Sequence, residues 1–152
     1  MSNKSMSKYF RMKGVDLMFL HFLQTKEQKE AFLELAHLAA NADGFIHKKE
    51  QGFLQSYMQE MDMQQTVISF SSEKQLADIL GNINDDHVKK IFFAEILLLI
   101  FADGDYNDDE KELTKDMKEL LNLDEETCES IKNWVIRMDQ LKIEGLKLIL
   151  NP

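Results

Sequence analysis

Two stretches of the sequence align without a gap at a spacing of 60 residues, with Asp103 against Asp43. They read "AHLAANADGFIHKKEQGFL" from Ala36 and "ILLLIFADGDYNDDEKELT" from Ile96. Each contains an apolar segment, the tripeptide Ala-Asp-Gly and, further on, a glutamate at the same position. Self-similarity at a fixed spacing is typical of a repeated structural unit. The pattern therefore predicts two related helix–corner–helix units and an approximate internal two-fold axis.

The residues between and around these corners favour helices. The chain of 152 residues has 1 proline and 6 glycines, which leaves little material for the tight turns of a β-rich fold. Apolar residues recur at helical spacing in successive segments, and N-cap residues precede several of them: Thr25 with Gln28, Ser71 or Ser72, and Asp124. The sequence predicts an all-α fold, a compact bundle of about seven helices.

The most apolar of these segments extends from 91 to 102 and contains one charged residue, Glu95. A helix that is apolar on all sides has no solvated face, so we expect this one at the centre of the bundle. Two interpretations of Glu95 are open. It is either a boundary residue paired with a lysine, or a buried acid that faces the Asp-Gly corners or a partner surface.

The domain organisation follows from the same patterns. Residues 1–25 are expected to form a tail and a short helix, and residues 26–152 a single domain with repeat units at about 26–63 and 86–123. The C-terminal "IEGLKLILNP" is apolar enough to be expected to dock on the bundle. No apolar run is long enough for a bilayer, and the expected location is the cytoplasm.

Charge and chemistry restrict the function classes. The 27 acidic residues against 18 basic ones argue against nucleic-acid binding and permit a cation or a basic partner. Cys128 is the only cysteine, so neither an internal disulfide nor a thiolate zinc site is expected. The four histidines are scattered and no catalytic motif is present, so we expect no enzyme activity. Paired carboxylates leave a metal-dependent hydrolase open as an alternative.

The second corner, "DGDYNDDE" at 103–110, is the most acidic part of the chain. One explanation is local: Gly104 ends a helix, Asn107 caps the next one, and Glu110 completes a capping box. The other is a bound cation, since closely packed carboxylates repel each other unless an ion or solvent separates them. It is not an EF-hand loop, because Asp108 stands where the loop needs glycine and Thr114 where it needs a bidentate acid.

A cation site would use oxygen ligands from the two corners, which suit calcium or magnesium. The first corner is less acidic, with Lys48 and Lys49 in the matching turn. If the corners meet across the two-fold axis, acids of both converge on one ion. The predicted metal ligands are Asp43, Glu50, Asp103, Asp105, Asn107 and Glu110.

The doubled Ala-Asp-Gly corner in an acidic helical chain resembles the tellurite-resistance TerB-like family, whose helical module also begins a membrane-anchored DnaJ-type co-chaperone. The likeness covers about residues 26–139, and the chain departs from the pattern at 47–49. It implies a seven-helix bundle with pseudo-two-fold symmetry, and family acids at Asp43, Glu50, Asp103 and Glu110. It also implies a role in stress response, divalent metal binding and membrane-associated protein partners.

Two functions are therefore expected from the sequence. The first is a non-enzymatic stress-response binding module of bacterial type, which uses its acidic surface for a divalent cation, a protein partner, or both. The alternative is a metal-free co-chaperone-like or membrane-complex adaptor, in which the helices present a protein-binding face. No direct membrane insertion is expected in either.

Overall fold

A computed structural model of the chain describes residues 19–42, 50–63, 74–102 and 108–150. These residues form one 3₁₀ helix, six α-helices and no strand. The 3₁₀ helix is Leu20–Phe22, and the α-helices are α1 (Lys26–Ala42), α2 (Glu50–Glu60), α3 (Leu76–Leu80), α4 (Asp86–Ala102), α5 (Asp108–Leu120) and α6 (Glu125–Leu150). The all-α prediction is confirmed. The described residues form six α-helices and one 3₁₀ turn, whereas the sequence predicts about seven helices.

Helix α4 is the central element of the bundle, as its composition predicts. Every residue from 92 to 100 is buried, because the sequence there offers no polar face that could be turned to solvent. Helices α1, α5 and α6 all contact α4, and the most extensive of these interfaces is with α6. Helix α1 also contacts α2, α3 and α5.

Three aromatic rings form the middle of the core. Phe32 of α1 is fully buried and lies edge-on to Phe92 of α4, with ring centroids 5.5 Å apart. Its other neighbour is Tyr57 of α2, with centroids 5.1 Å apart and the planes at 87°. Edge-to-face pairs contribute about 0.5–1.5 kcal/mol each beyond the apolar area that they bury. The three rings thus hold α1, α2 and α4 together.

Two of the predicted helix caps are confirmed, and another, Asn107, lies outside the described residues. The Gln28 N–H donates to Thr25 Oγ1 at 3.1 Å, and the Thr25 N–H donates to Gln28 Oε1 at 3.4 Å, which makes the predicted capping box. Asp124 accepts the Thr127 N–H at 2.6 Å, and its hydrogen bonds with Thr127 hold the pKa of Asp124 below its ordinary value. These bonds fix where α1 and α6 begin.

The start of α3 was predicted wrongly. The helix begins at Leu76 and its N-cap is Gln75, not Ser71 or Ser72. The Gln75 N–H donates to Asp78 Oδ2 at 3.1 Å, so the acid in the first turn satisfies the backbone at the helix start. Only five residues continue as helix before Gly81, which explains why periodicity alone misplaces the boundary.

The C-terminal segment does not dock on the described part of the bundle, contrary to the prediction. Helix α6 continues without interruption for 26 residues to Leu150. Six large apolar side chains in its second half are 45–81% exposed: Leu141, Ile143, Leu146, Leu148, Ile149 and Leu150. The segment is apolar, as noted from the sequence, but α6 carries it away from the core.

The hydroxyl of Tyr57 is a polar group in an apolar site. The residue is 1% exposed, and its oxygen has no hydrogen-bond partner among the described residues. Burial, with a smaller contribution from the charge of Glu95, raises the pKa of Tyr57 well above its ordinary value. The hydroxyl has therefore given up its bonds to water without a replacement in the described part of the core.

We predict that Tyr57→Phe leaves the free energy of unfolding unchanged or raises it by up to about 1 kcal/mol, because it removes an unsatisfied buried hydroxyl and keeps the ring. Chemical denaturation measures this change. Tyr57→Ala is the control that removes the ring and should lower stability by about 3–5 kcal/mol. A loss above about 1 kcal/mol in Tyr57→Phe would show that the hydroxyl makes a stabilising bond.

Candidate functional site

Of the predicted metal ligands, the structure describes the side chain of one. Glu110 lies in the first turn of α5 and is 1% exposed, whereas its neighbours Asp108 and Asp109 are exposed. Glu50 is the first residue of α2. The other four, Asp43, Asp103, Asp105 and Asn107, lie outside the described residues. Within the described ranges, no group of three or more acids, histidines or cysteines is placed to hold a metal ion.

One concavity of the described chain is a groove of about 770 Å³. It lies between the segment around the 3₁₀ helix, the start of α1, the first half of α4 and the first half of α6. We call it the α4–α6 groove. Its apolar lining consists of Phe19, Phe22, Val88, Ile91, Ala94, Ile131 and Trp134.

One wall of the groove is a short segment that the core holds in place. The Phe19 N–H donates to Glu95 Oε1 at 2.7 Å, and Leu20 and Leu23 are buried beneath the segment. The Phe19 ring lies 5.7 Å from the ring of Trp134 on α6, measured between centroids. Phe22, in contrast, remains 58% exposed. The wall is therefore fixed at its base and open to solvent at its rim.

Glu95 is the anchor of that wall, and its burial rules out the boundary interpretation. The other interpretation is confirmed for the burial alone, since the Asp-Gly corners lie outside the described residues. It is completely buried in α4, and the described hydrogen bond that it accepts comes from a backbone amide 76 positions away. A buried carboxylate is costly unless hydrogen bonds compensate it. Glu95 is thus a buried acid and not a boundary residue.

The polar groups of the groove stand at its edges. Asp85 Oδ1 accepts the backbone N–H groups of His87 at 2.8 Å and Val88 at 3.2 Å, which makes Asp85 the cap of α4. His87 and Lys90 are exposed at the same edge. Asp85 already caps α4, and His87 and Lys90 are exposed to solvent. These three side chains therefore do not form a nucleophile in contact with a general base. The groove is suited to binding an apolar surface.

A smaller pocket of about 190 Å³ lies between α4, α5 and α6. Four lysines line it together with Glu125 and Glu129, and Lys118 forms an ion pair with Glu125. Cys128 also lines this pocket, and burial raises the pKa of its thiol. A thiol with a raised pKa is a poor nucleophile, because the thiolate is the reactive form. This pocket has mixed charge and no activated group.

Sequence reasoning did not find the α4–α6 groove. Its walls come from three parts of the chain, around Phe19, Ile91 and Trp134, and each part contributes two or three apolar residues that fit a core equally well. The available signal was Trp134, the single tryptophan of the chain. No helix among the described residues is long and apolar enough to cross a membrane.

We predict that Glu95→Leu shifts the fluorescence emission of Trp134 to longer wavelength. The substitution fills a similar volume but removes the acceptor of the Phe19 N–H, so Phe19 should move away and expose the indole. The signal is unambiguous because Trp134 is the single tryptophan of the chain.

Glu95→Gln is the matched control, because its amide oxygen can accept the same hydrogen bond and should keep most of the native emission. Unchanged emission in Glu95→Leu would mean that the ring contact with Trp134, and not the hydrogen bond, positions Phe19.

Comparison of the chain with models of known protein families, with curated proteins and with solved structures finds no match. The TerB-like resemblance therefore stays a prediction.

Proposed function

We propose that the chain is a non-enzymatic adaptor module whose α4–α6 groove holds an apolar helical segment of a protein partner. The observation that carries the proposal is the groove itself. It has a volume of about 770 Å³, an apolar floor and polar residues at its edges. An apolar centre within a polar rim is the usual organisation of a protein-binding surface. Of the two functions expected from the sequence, the groove favours the adaptor.

The form of the groove favours a helix over a small molecule. Small-molecule sites enclose most of the ligand and direct several polar groups at it. Here Phe22 stands open to solvent, and Asp85 is occupied by the backbone of α4. Recognition of an amphipathic helix needs only apolar contacts along one face, with polar groups outside. The lining of aliphatic and aromatic side chains provides such contacts.

The proposal includes the duplicated, TerB-like architecture that the sequence predicts. Its support is the correspondence of helix boundaries at the repeat spacing. Helix α1 is Lys26–Ala42 and α4 is Asp86–Ala102, each of 17 residues, and α2 and α5 end at Glu60 and Leu120. Each pair of boundaries named here differs by the same 60 positions as the two Asp-Gly corners (86 − 26 and 120 − 60).

The ends of α2 and α5 support the duplication further. Asp62 and Asn122 both have positive φ, 55° and 53°, and are the only described non-glycine residues that do. At each end an N–H bonds to the carbonyl five residues earlier, from Met63 to Met58 and from Leu123 to Lys118. This is the Schellman ending, and it occurs at equivalent positions of both units.

In this proposal the module works in the cytoplasm, in a stress-response complex that includes a membrane-associated protein. The second candidate function is binding of a divalent cation at the corners. It is favoured by one observation: Glu110, a predicted ligand, is buried at the start of α5 while the two acids before it are exposed.

The groove is tested with two synthetic helical peptides of one composition. One has its leucines along a single face, and the other has them distributed around the helix. We expect only the first to shift Trp134 emission saturably to shorter wavelength, because only its leucines can all enter the groove. Ile91→Asp should weaken this binding at least about tenfold, since it buries an unpaired carboxylate against the peptide.

Gln140→Asp, which adds the same charge at an exposed position of α6, should bind as the native chain does. Equal responses to both peptides, or no response to either from a monomeric chain, would contradict the proposed function.

The cation is tested by calorimetric titration with calcium and with magnesium. Binding at the second corner should give saturable heat that disappears in Asp103→Ala and Asp105→Ala, because each substitution removes an oxygen ligand. No heat at millimolar ion would leave the metal-free adaptor as the function.

A further inference from the structure

The second half of α6 is the most unusual surface of the described chain. Leucine and isoleucine side chains there are exposed in adjacent turns, with Leu148, Ile149 and Leu150 each above 70%. Monomeric soluble proteins rarely expose apolar patches larger than a few hundred square ångströms, and larger ones mark interaction sites. Ten residues of helix, from Leu141 to Leu150, extend about 15 Å at 1.5 Å per residue.

Part of the apolar surface of α6 follows a heptad, and the exposed Ile143, Leu146, Ile149 and Leu150 lie off it. Six residues alternate in steps of three and four along one stripe: Ile131, Trp134, Met138, Leu141, Gly145 and Leu148. This spacing is that of the a and d positions of a coiled coil. The first three are half-buried, and Ile131 and Trp134 line the α4–α6 groove. Leu141 and Leu148 are exposed. One stripe thus connects the groove with the exposed half.

We infer that the helix held in the α4–α6 groove is α6 of a second copy of this chain, paired antiparallel with the first. The inference rests on the proposed function and names its partner. In such a pair the exposed half of each α6 lies against the groove-lining half of the other. The interface is then the same on both copies, which closes the assembly as a two-fold dimer.

The side chains fit this arrangement in size. In an antiparallel pair, a positions pack against d positions of the other helix. Ile131 then meets Leu148 of the second copy, and Met138 meets Leu141 of the second copy. Trp134, the largest residue of the stripe, meets Gly145 of the second copy, the smallest. A Cβ built on Gly145 has no atom within 4 Å, so the space for the indole is free.

The charges fit the same register. Arg137 and Glu144 occupy the g positions, which face each other in an antiparallel pair, and both side chains are exposed. Arg137 therefore stands opposite Glu144 of the second copy, and the two-fold axis repeats the pair. In a parallel arrangement, Arg137 would instead lie against the region around Arg137 of the second copy. The exposed half of α6 would then lie outside the groove.

The experiment is sedimentation equilibrium of the full chain over a range of concentration, with acrylamide quenching of Trp134 in parallel. We expect a species of twice 17.7 kDa and a Trp134 that becomes less accessible as the dimer forms. Gly145→Gln should make the chain monomeric, because the new side chain occupies the position of the indole. It should not destabilise the monomer, because glycine is the poorer helix former.

Lys147→Gln introduces the same residue on the outer face of α6 and is the matched control, expected to leave the dimer intact. Arg137→Glu and Glu144→Arg should each weaken dimerisation about tenfold or more by setting like charges opposite each other. The double variant Arg137→Glu/Glu144→Arg should restore it, because the exchange recreates both ion pairs.

A monomer at all concentrations overturns the inference. A dimer insensitive to Gly145→Gln and to the charge exchange also overturns it, because a different surface would be responsible. If the chain is monomeric but binds the peptide with leucines on one face, only the inference fails. If it neither dimerises nor binds that peptide, the proposed function fails as well.

Discussion

The structure depends on the burial of one helix on all of its sides. The segment of α4 from 92 to 100 is buried throughout, so no part of it can be turned toward water. Each neighbour must cover a different face, which places α1, α5 and α6 around it. Fully burying a side chain of this size contributes about 1.5–3 kcal/mol, so this segment accounts for a large part of the hydrophobic stabilisation. The groove lies along the first half of α4, beside Val88 and Ile91.

A buried carboxylate connects the groove with the core. Glu95 is turned away from solvent and accepts the backbone N–H of Phe19, so the wall of the groove is attached to the most buried element of the fold. The Phe19 ring of the same wall contacts Trp134 of α6, so the wall links α4 with α6 across the groove. This arrangement preforms the groove, and a preformed site loses less conformational entropy when a partner binds.

Much of the fold is readable from the sequence, because it follows from local rules. The cap at Thr25 and the apolar run of α4 predict their helices correctly, since capping and periodicity act within a few residues. The docking of the C-terminal segment was predicted wrongly, because apolar composition indicates a need for burial but not the surface that provides it. The groove was missed for a related reason. Phe19, Ile91 and Trp134 come together only through the packing of separate elements.

The bond between Glu95 and Phe19 has a consequence for the symmetry of the molecule. The residue 60 positions before Glu95 is Leu35, and both are completely buried. If the two halves are copies, as proposed, their backbones offer two related places where an N-terminal segment could attach, but only one supplies an oxygen for its amide. The exchange of one leucine for glutamate then makes the two halves of a nearly symmetric bundle distinguishable.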